Sequence, residues 1–194
     1  MRNSRATKKL KYEKAILEAL KTTLDAGKPA HLHVISQSMF PFLKTGDITI
    51  VEMIVTDNYD SGDMIVFENN HSLITHRLVI KGENHWVTKG DNTLNPDPPL
   101  EINRILGIVS AIQRGSLTRQ MHSFPWKGAN RIIARINLWQ IRLLRIIDTI
   151  ASRLFGNRQI SGISLLRRLL AAPFKFIYKL LIISLSFFEQ ITGR

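Results

Sequence analysis

Cysteine is absent from all 194 residues, which rules out disulfides, thiolate zinc sites and a thiol nucleophile. Any nucleophile must therefore be a hydroxyl, a lysine or a carboxylate. Acidic residues are scarce in one part only. Residues 116–194 hold 13 Lys/Arg against 2 Asp/Glu, whereas residues 1–115 hold 14 against 13, which together make the 27 and 15 of the whole chain. A near-neutral front and a basic tail suit two jobs better than one nucleic-acid-binding surface, and no nucleic-acid partner is expected. A clean apolar run of membrane-spanning length is also missing. Leu169–Phe188 is long enough to span but contains Pro173, Lys175 and Lys179, so a shallow or re-entrant anchor is expected rather than a full crossing. Near the N-terminus, Glu13 and Glu18 stand where the apolar core of a secretory signal would have to be.

The patterns that are present divide the chain in three. Over Lys8–Ala26 the residues Leu10, Ala15, Ile16, Ala19, Leu20 and Leu24 follow helical spacing, and Gly27 with Pro29 supplies the stop, so residues 1–29 read as an amphipathic helix. Across 30–115 the period drops to two. "HLHVIS", "DITIVEMIV", "DMIVFEN", "SLITHRLVI", "HWVTK" and "ILGIVSAIQ" are β-branched runs broken by turn residues. The expected fold is mainly β, a folded antiparallel sheet or small barrel. In 116–194, Ile132, Ile133, Ile136, Trp139, Leu143, Leu144, Ile147 and Ile150 mark one helical face with arginines beside it. That region is expected to be a basic amphipathic, membrane-associating segment, peripheral or C-terminally anchored.

Four short stretches carry the chemistry. Ser36, Ser38, Met39, Pro41, Leu43, Gly46 and Asp47 form S-x-S-M-x-P-x-L-x-x-G-D; "GDMIVF" follows at 62–67, "LITHRLVI" at 73–80 and "VTKGDNTLNPD" at 87–97. In this order they resemble the signal peptidase I superfamily of serine endopeptidases, over roughly residues 30–113. His76-Arg77, where the usual bacterial members have Lys-Arg, resembles the archaeal and endoplasmic-reticulum branch. An imidazole is already poised to accept a serine proton near neutrality, whereas a lysine base must first be desolvated.

The resemblance implies Ser38 as nucleophile and His76 as general base, with the Ser38 N–H and the Ser36 hydroxyl as oxyanion donors. Asp97 is the first choice to orient His76, by its place six residues after Asp91, which is the second choice. Met39, Phe40, Pro41 and Phe42 are expected to meet substrate or lipid. The implied substrate is an extended peptide or preprotein leader cleaved at a membrane surface, without a cofactor. Gln37, in place of a frequent glycine, and the proline-rich "NPDPPLE" depart from the family pattern.

Blander readings stand beside these. Alone, Ser38 is a solvated turn serine and His76 a strand histidine. Lys89 reads as hydrogen-bonding support. His31, His33, His71, His85 and His122 read as ordinary surface residues; no third ligand follows His31 and His33, and no metal is expected. A self-cleaving repressor of a related branch is a rival reading. It would need a lysine base and an N-terminal DNA-binding domain, for which twenty-nine residues are too few. A non-catalytic adaptor on the same fold, holding lipid or nucleic acid, is the other.

Overall fold

The computed structural model describes residues 2–53, 59–83, 85–155 and 161–192, with side chains over 13–53, 59–83, 85–154 and 164–189. Helix α1 spans Arg2–Asp25. Seven strands follow: β1 Ala30–His33, β2 Ile48–Glu52, β3 Met64–Asn69, β4 Ser72–Lys81, β5 Trp86–Lys89, β6 Ile105–Arg114 and β7 Leu117–Gln120. Two long helices close the chain, α2 over Trp126–Phe155 and α3 over Ser161–Thr192. Each period-two run holds a strand; β7 was not expected, because the sheet was taken to end at Arg114-Gly115. Gly115, at φ 61, lets β6 turn straight back into β7. Leu10, Ile54 and Val55, assigned by pattern to the first helix and second strand, lie outside the described side chains.

The strands form one antiparallel sheet in the order β1-β2-β6-β3-β4-β5, with β7 also on β6. Register shifts at Ile50/Val51, Val66/Phe67 and Leu78/Ile80 bend it. Strand β3 shows why a continuous apolar run was needed there. Met64 and Val66 enter one hydrophobic cluster while Ile65 and Phe67 enter a second on the opposite face with Leu78, Trp86 and Ile108.

The first cluster draws on all three expected segments: Leu20 and Leu24 from α1, Val51, Met64 and Ile112 from the sheet, Trp126 and Ile133 from α2, and Tyr178 from α3. Helices α2 and α3 run antiparallel, with Trp126 meeting Glu189, Asn137 meeting Tyr178, and Asp148 meeting Arg167. The buried face of α2 shares only Ile133 and Leu144 with the apolar stripe that the pattern marks. It consists of Ala129, Asn130, Ile133, Ala134, Asn137, Gln140, Ile141 and Leu144, while Ile132, Trp139 and Ile150 point outward. Small alanines and asparagines let the helix approach the sheet closely, and asparagine is a residue that hydropathy does not rank as core.

The hairpin is therefore part of the core. A chain ending at Arg114 loses Trp126 and Tyr178 from the first cluster, and two buried aromatics at about 3–5 kcal/mol each approach the whole stability of an ordinary domain. Such a fragment should show no cooperative melt by circular dichroism. A sharp transition in it would make the hairpin dispensable to folding.

Candidate active site

Between β1 and β2 the chain makes a closed loop, tied by Val34 N–H to the Asp47 carbonyl at 2.9 Å and Gly46 N–H to the Val34 carbonyl at 3.0 Å. Inside it, the Phe40 and Leu43 amides donate to the Gln37 and Met39 carbonyls, giving one helical turn that starts at Ser38. Met39, Pro41, Phe42 and Leu43 are buried, Phe40 and Ser38 are partly exposed, and Ser36 is exposed. In the oily turn expected to meet substrate or lipid, only Phe40 keeps partial exposure. Three of its four residues are roots in the core; Phe42 lies edge-on to Trp126 at 5.7 Å. Arg114 fixes the loop's far end by donating to both Asp47 oxygens, at 2.8 and 2.6 Å, and to the Phe42 carbonyl. Burial alone would raise the Asp47 pKa, but hydrogen bonds from Arg114 and the Lys44 amide hold it below the usual carboxylate range.

His76 stands in β4 on the face that carries Leu78 and Thr88. Its Nδ1 is 2.6 Å from Asp97 Oδ2, which also accepts from Thr88 Oγ1 at 2.6 Å, and the Asp97 amide donates to the Thr88 carbonyl at 2.8 Å. A carboxylate can only accept, so Nδ1 carries the hydrogen, and Nε2 has a lone pair to offer in the neutral imidazole. Phe67 lies across the imidazole at 6.3 Å.

Nε2 faces the nucleophile turn across Gly90. A Cβ built on Gly90 would sit 2.7 Å from the Ser38 carbonyl oxygen and 2.9 Å from His76 Nε2, so any side chain there would push the two apart. Asn92 fastens the same turn, its amide donating to the Ser38 carbonyl at 2.8 Å and its Nδ2 to the Gln37 carbonyl at 3.0 Å. Ser36 Oγ is 3.3 Å from Ser38 Oγ. Ser36, Ser38, His76 and Asp97 thus converge on the 90–92 loop.

Asp91 does not join them, because its carboxylate faces the other side of the sheet. There it accepts from Arg77 Nε at 2.9 Å and Nη2 at 2.8 Å, and from Asn137 Nδ2 at 2.9 Å. Arg77 Nη1 donates to the Gly62 carbonyl and to Asn130 Oδ1, both at 2.8 Å. Gly62 must be glycine here: its φ is +111°, and a Cβ would stand 2.7 Å from the Asn130 backbone. Lys89, the register partner of Arg77, donates from Nζ to Asn137 Oδ1 at 2.8 Å, and Tyr178 Oη donates to the same oxygen at 2.9 Å. Burial drives the Lys89 pKa down to about 8 against the pull of Asp91, with Lys175 of α3 adding to the fall. Burial likewise raises the Tyr178 phenol.

Asn130, Asn137 and Tyr178 escaped the sequence reading. The signal available was two asparagines seven residues apart in an otherwise Ala/Ile-rich helix face, two turns on one side.

Asn137→Ala removes one donor and one shared acceptor from this fully buried cluster, leaving Asp91, Lys89 and Tyr178 each short of a partner. At about 1–3 kcal/mol for each unsatisfied group, urea denaturation should show a loss of several kcal/mol; a loss near zero would mean that water replaces Asn137. Lys89 also makes stability depend on pH. Its folded pKa, about 8, lies below the ordinary 10.5, so between those values the unfolded chain holds more protons and stability rises with pH. Comparison of thermal midpoints should favour wild type over Lys89→Met increasingly across that window. A constant difference would contradict it.

A search of curated proteins finds no match. Among protein families, the one described as Peptidase S24-like matches residues 3–110, from α1 to within β6, a stretch that includes Ser38, His76, Asp91 and Asp97 and excludes both hairpin helices. With a match over more than half its length, carried by an antiparallel sheet that presents a serine turn, this chain belongs to the peptidase S24-like family and has a serine-peptidase fold.

Proposed function

We propose that this protein is a serine endopeptidase of the histidine type, related in mechanism to signal peptidase I, that hydrolyses an extended peptide or preprotein leader. The observation that carries the reading is the 2.6 Å contact of His76 Nδ1 with Asp97, combined with an Nε2 turned toward the Ser38 turn. Nε2 takes the proton of Ser38 as its oxygen attacks the peptide carbonyl. The imidazolium that forms is stabilised by Asp97, and Thr88 keeps that carboxylate in place. The Ser38 N–H and the Ser36 hydroxyl would meet the developing oxyanion. Nε2 then returns the proton to the leaving amine, and a water molecule, deprotonated by the same nitrogen, releases the acyl group from Ser38.

The repressor-like alternative requires a lysine base. Lys89 directly precedes the 90–92 loop. It shares a face with Arg77, opposite to His76, and its ammonium is committed to Asn137 and the Gly90 carbonyl. That arrangement favours support over proton abstraction.

Ser38→Ala and His76→Ala should each lower peptide cleavage by about 10³-fold or more, and the double variant should be no worse than either. Asp97→Asn should lose activity while keeping a near wild-type thermal midpoint, because Asp97 is partly exposed. Asp91→Asn should lose the midpoint itself, since it leaves Arg77 buried with half its partner. Full cleavage by Ser38→Ala, followed with a mass-resolved peptide assay, would end the serine mechanism.

A further inference from the structure

The outer face of the α2–α3 hairpin has no role in the proposed chemistry, yet it carries most of the large exposed apolar side chains among the described residues. Trp139, Ile146 and Ile150 of α2 and Phe176, Leu180 and Ile183 of α3 are each between 45% and 65% exposed. Spacings of seven and four residues on α2, and four and three on α3, place each set along one side of its helix. The exposed Arg135, Arg142 and Arg145 stand beside the α2 stripe, and the Arg142 guanidinium lies 5.7 Å from the Trp139 ring. An apolar surface running along two helices of thirty residues or more exceeds what scattered surface residues account for.

We infer that this face binds an anionic lipid bilayer, with both helices lying in the plane of the surface and α3 not crossing it. Charge selects the occupant. The region from 116 to 194 holds 13 basic residues and 2 acidic ones. A second copy docked face to face would bring those like charges together, whereas anionic headgroups neutralise them while the lipid chains take the apolar stripe. Phosphates of a nucleic acid would satisfy the arginines but leave that stripe in water.

The orientation follows from what α3 already touches. Ser164–Glu189 is long and apolar enough to cross a membrane, but its other side is fastened to the catalytic core along its length. Arg167 donates to Asn95, Tyr178 to Asn137, and the Glu189 carboxylate accepts from Arg119 and Trp126. Phe174, Leu181 and Leu185 pack against the first core cluster. Crossing would break all of these. It would also carry Lys175 and Lys179 to mid-bilayer, at about 3 kcal/mol each. In the folded chain Lys175 is half-buried, and Lys179, though exposed, holds its Nζ 5.8 Å from the Phe40 ring on the Ser38 turn. Because α3 passes Phe40 on the Ser38 turn and Asn95 on the Asp97 loop, a bilayer under the hairpin holds the catalytic segments at the lipid surface.

Only Trp139 of the three tryptophans is exposed; Trp86 and Trp126 are buried. Its emission therefore reports on this face, and the absence of cysteine allows one dye to be placed at Phe176→Cys, midway along Ser164–Glu189. The full-length chain is mixed with phosphatidylcholine vesicles with or without phosphatidylglycerol, floated, and read with lipids brominated near the headgroup or near the chain end. The expected result is flotation with the anionic vesicles, a blue shift of Trp139, and stronger quenching of both probes by the shallow bromine. The doubly substituted Ile146→Glu, Phe176→Glu chain should bind at least tenfold more weakly with an unchanged melting curve and unchanged cleavage of a short soluble peptide. Ser38→Ala should bind like wild type, which keeps this surface separate from the proposed chemistry. Failure to float, self-association that shields Trp139 without lipid, or deeper quenching at residue 176 would each overturn the inference.

Discussion

The structure depends on a buried ion pair. Arg77 and Asp91 are withdrawn from water almost completely, and each lies one residue away from the active site, beside His76 and Gly90. Stripping either charge of its partner inside a protein costs about 3–5 kcal/mol, so every neighbouring element is constrained to keep both satisfied. The Gly62 carbonyl and Asn130 take the remaining nitrogen of Arg77, and Asn137 gives Asp91 a third hydrogen bond. The alternation of a strand then does the rest. With Arg77 locked toward α2, His76 must face the opposite side, where Asp97 and the Ser38 turn are found.

From Asp91 the constraint passes along the backbone. Gly90 fits between Ser38 and His76, and Asn92 grips the Ser38 and Gln37 carbonyls. The position of the nucleophile is thereby referred to α2, an element beyond the family-matched residues 3–110. The sheet and its loops carry Ser38, His76 and Asp97, and the hairpin holds the 90–92 loop from behind. Helix α2 has two faces of unlike character, one built of Asn, Ala and Ile against the sheet, the other of Trp, Ile and Arg toward the outside.

The β architecture was legible because its strands alternate and its breaks are Gly-Asp or Lys-Gly. Ser38, His76 and Asp97 could be singled out because they fall within ordered boxes. Two things were not legible. The side of the sheet to which Asp91 turns is one, because nothing in the sequence around a loop carboxylate says that it meets Arg77 and Asn137. The buried face of α2 is the other: Ala129, Asn130, Ala134 and Asn137 pack toward the sheet and Gly62, while the stronger hydrophobic pattern of Ile132, Trp139 and Ile150 turns outward. Asn137 could not be assigned at all, since its partners lie 41 to 48 residues away in the chain.

The central claim is that α2 holds the nucleophile turn in place through Asn137 and Asp91. Amide hydrogen exchange, followed in the native state for peptides covering 36–43 and 90–97, tests it directly in wild type and in a mild variant, Asn137→Asp or Asn137→Ser, chosen to remain folded. The account requires the Asn92 and Leu43 amides to exchange faster in the variant by local opening, while the β2 and β6 amides stay protected. Equal protection of the turn in both proteins, or a loss of protection uniform across the sheet, would contradict it.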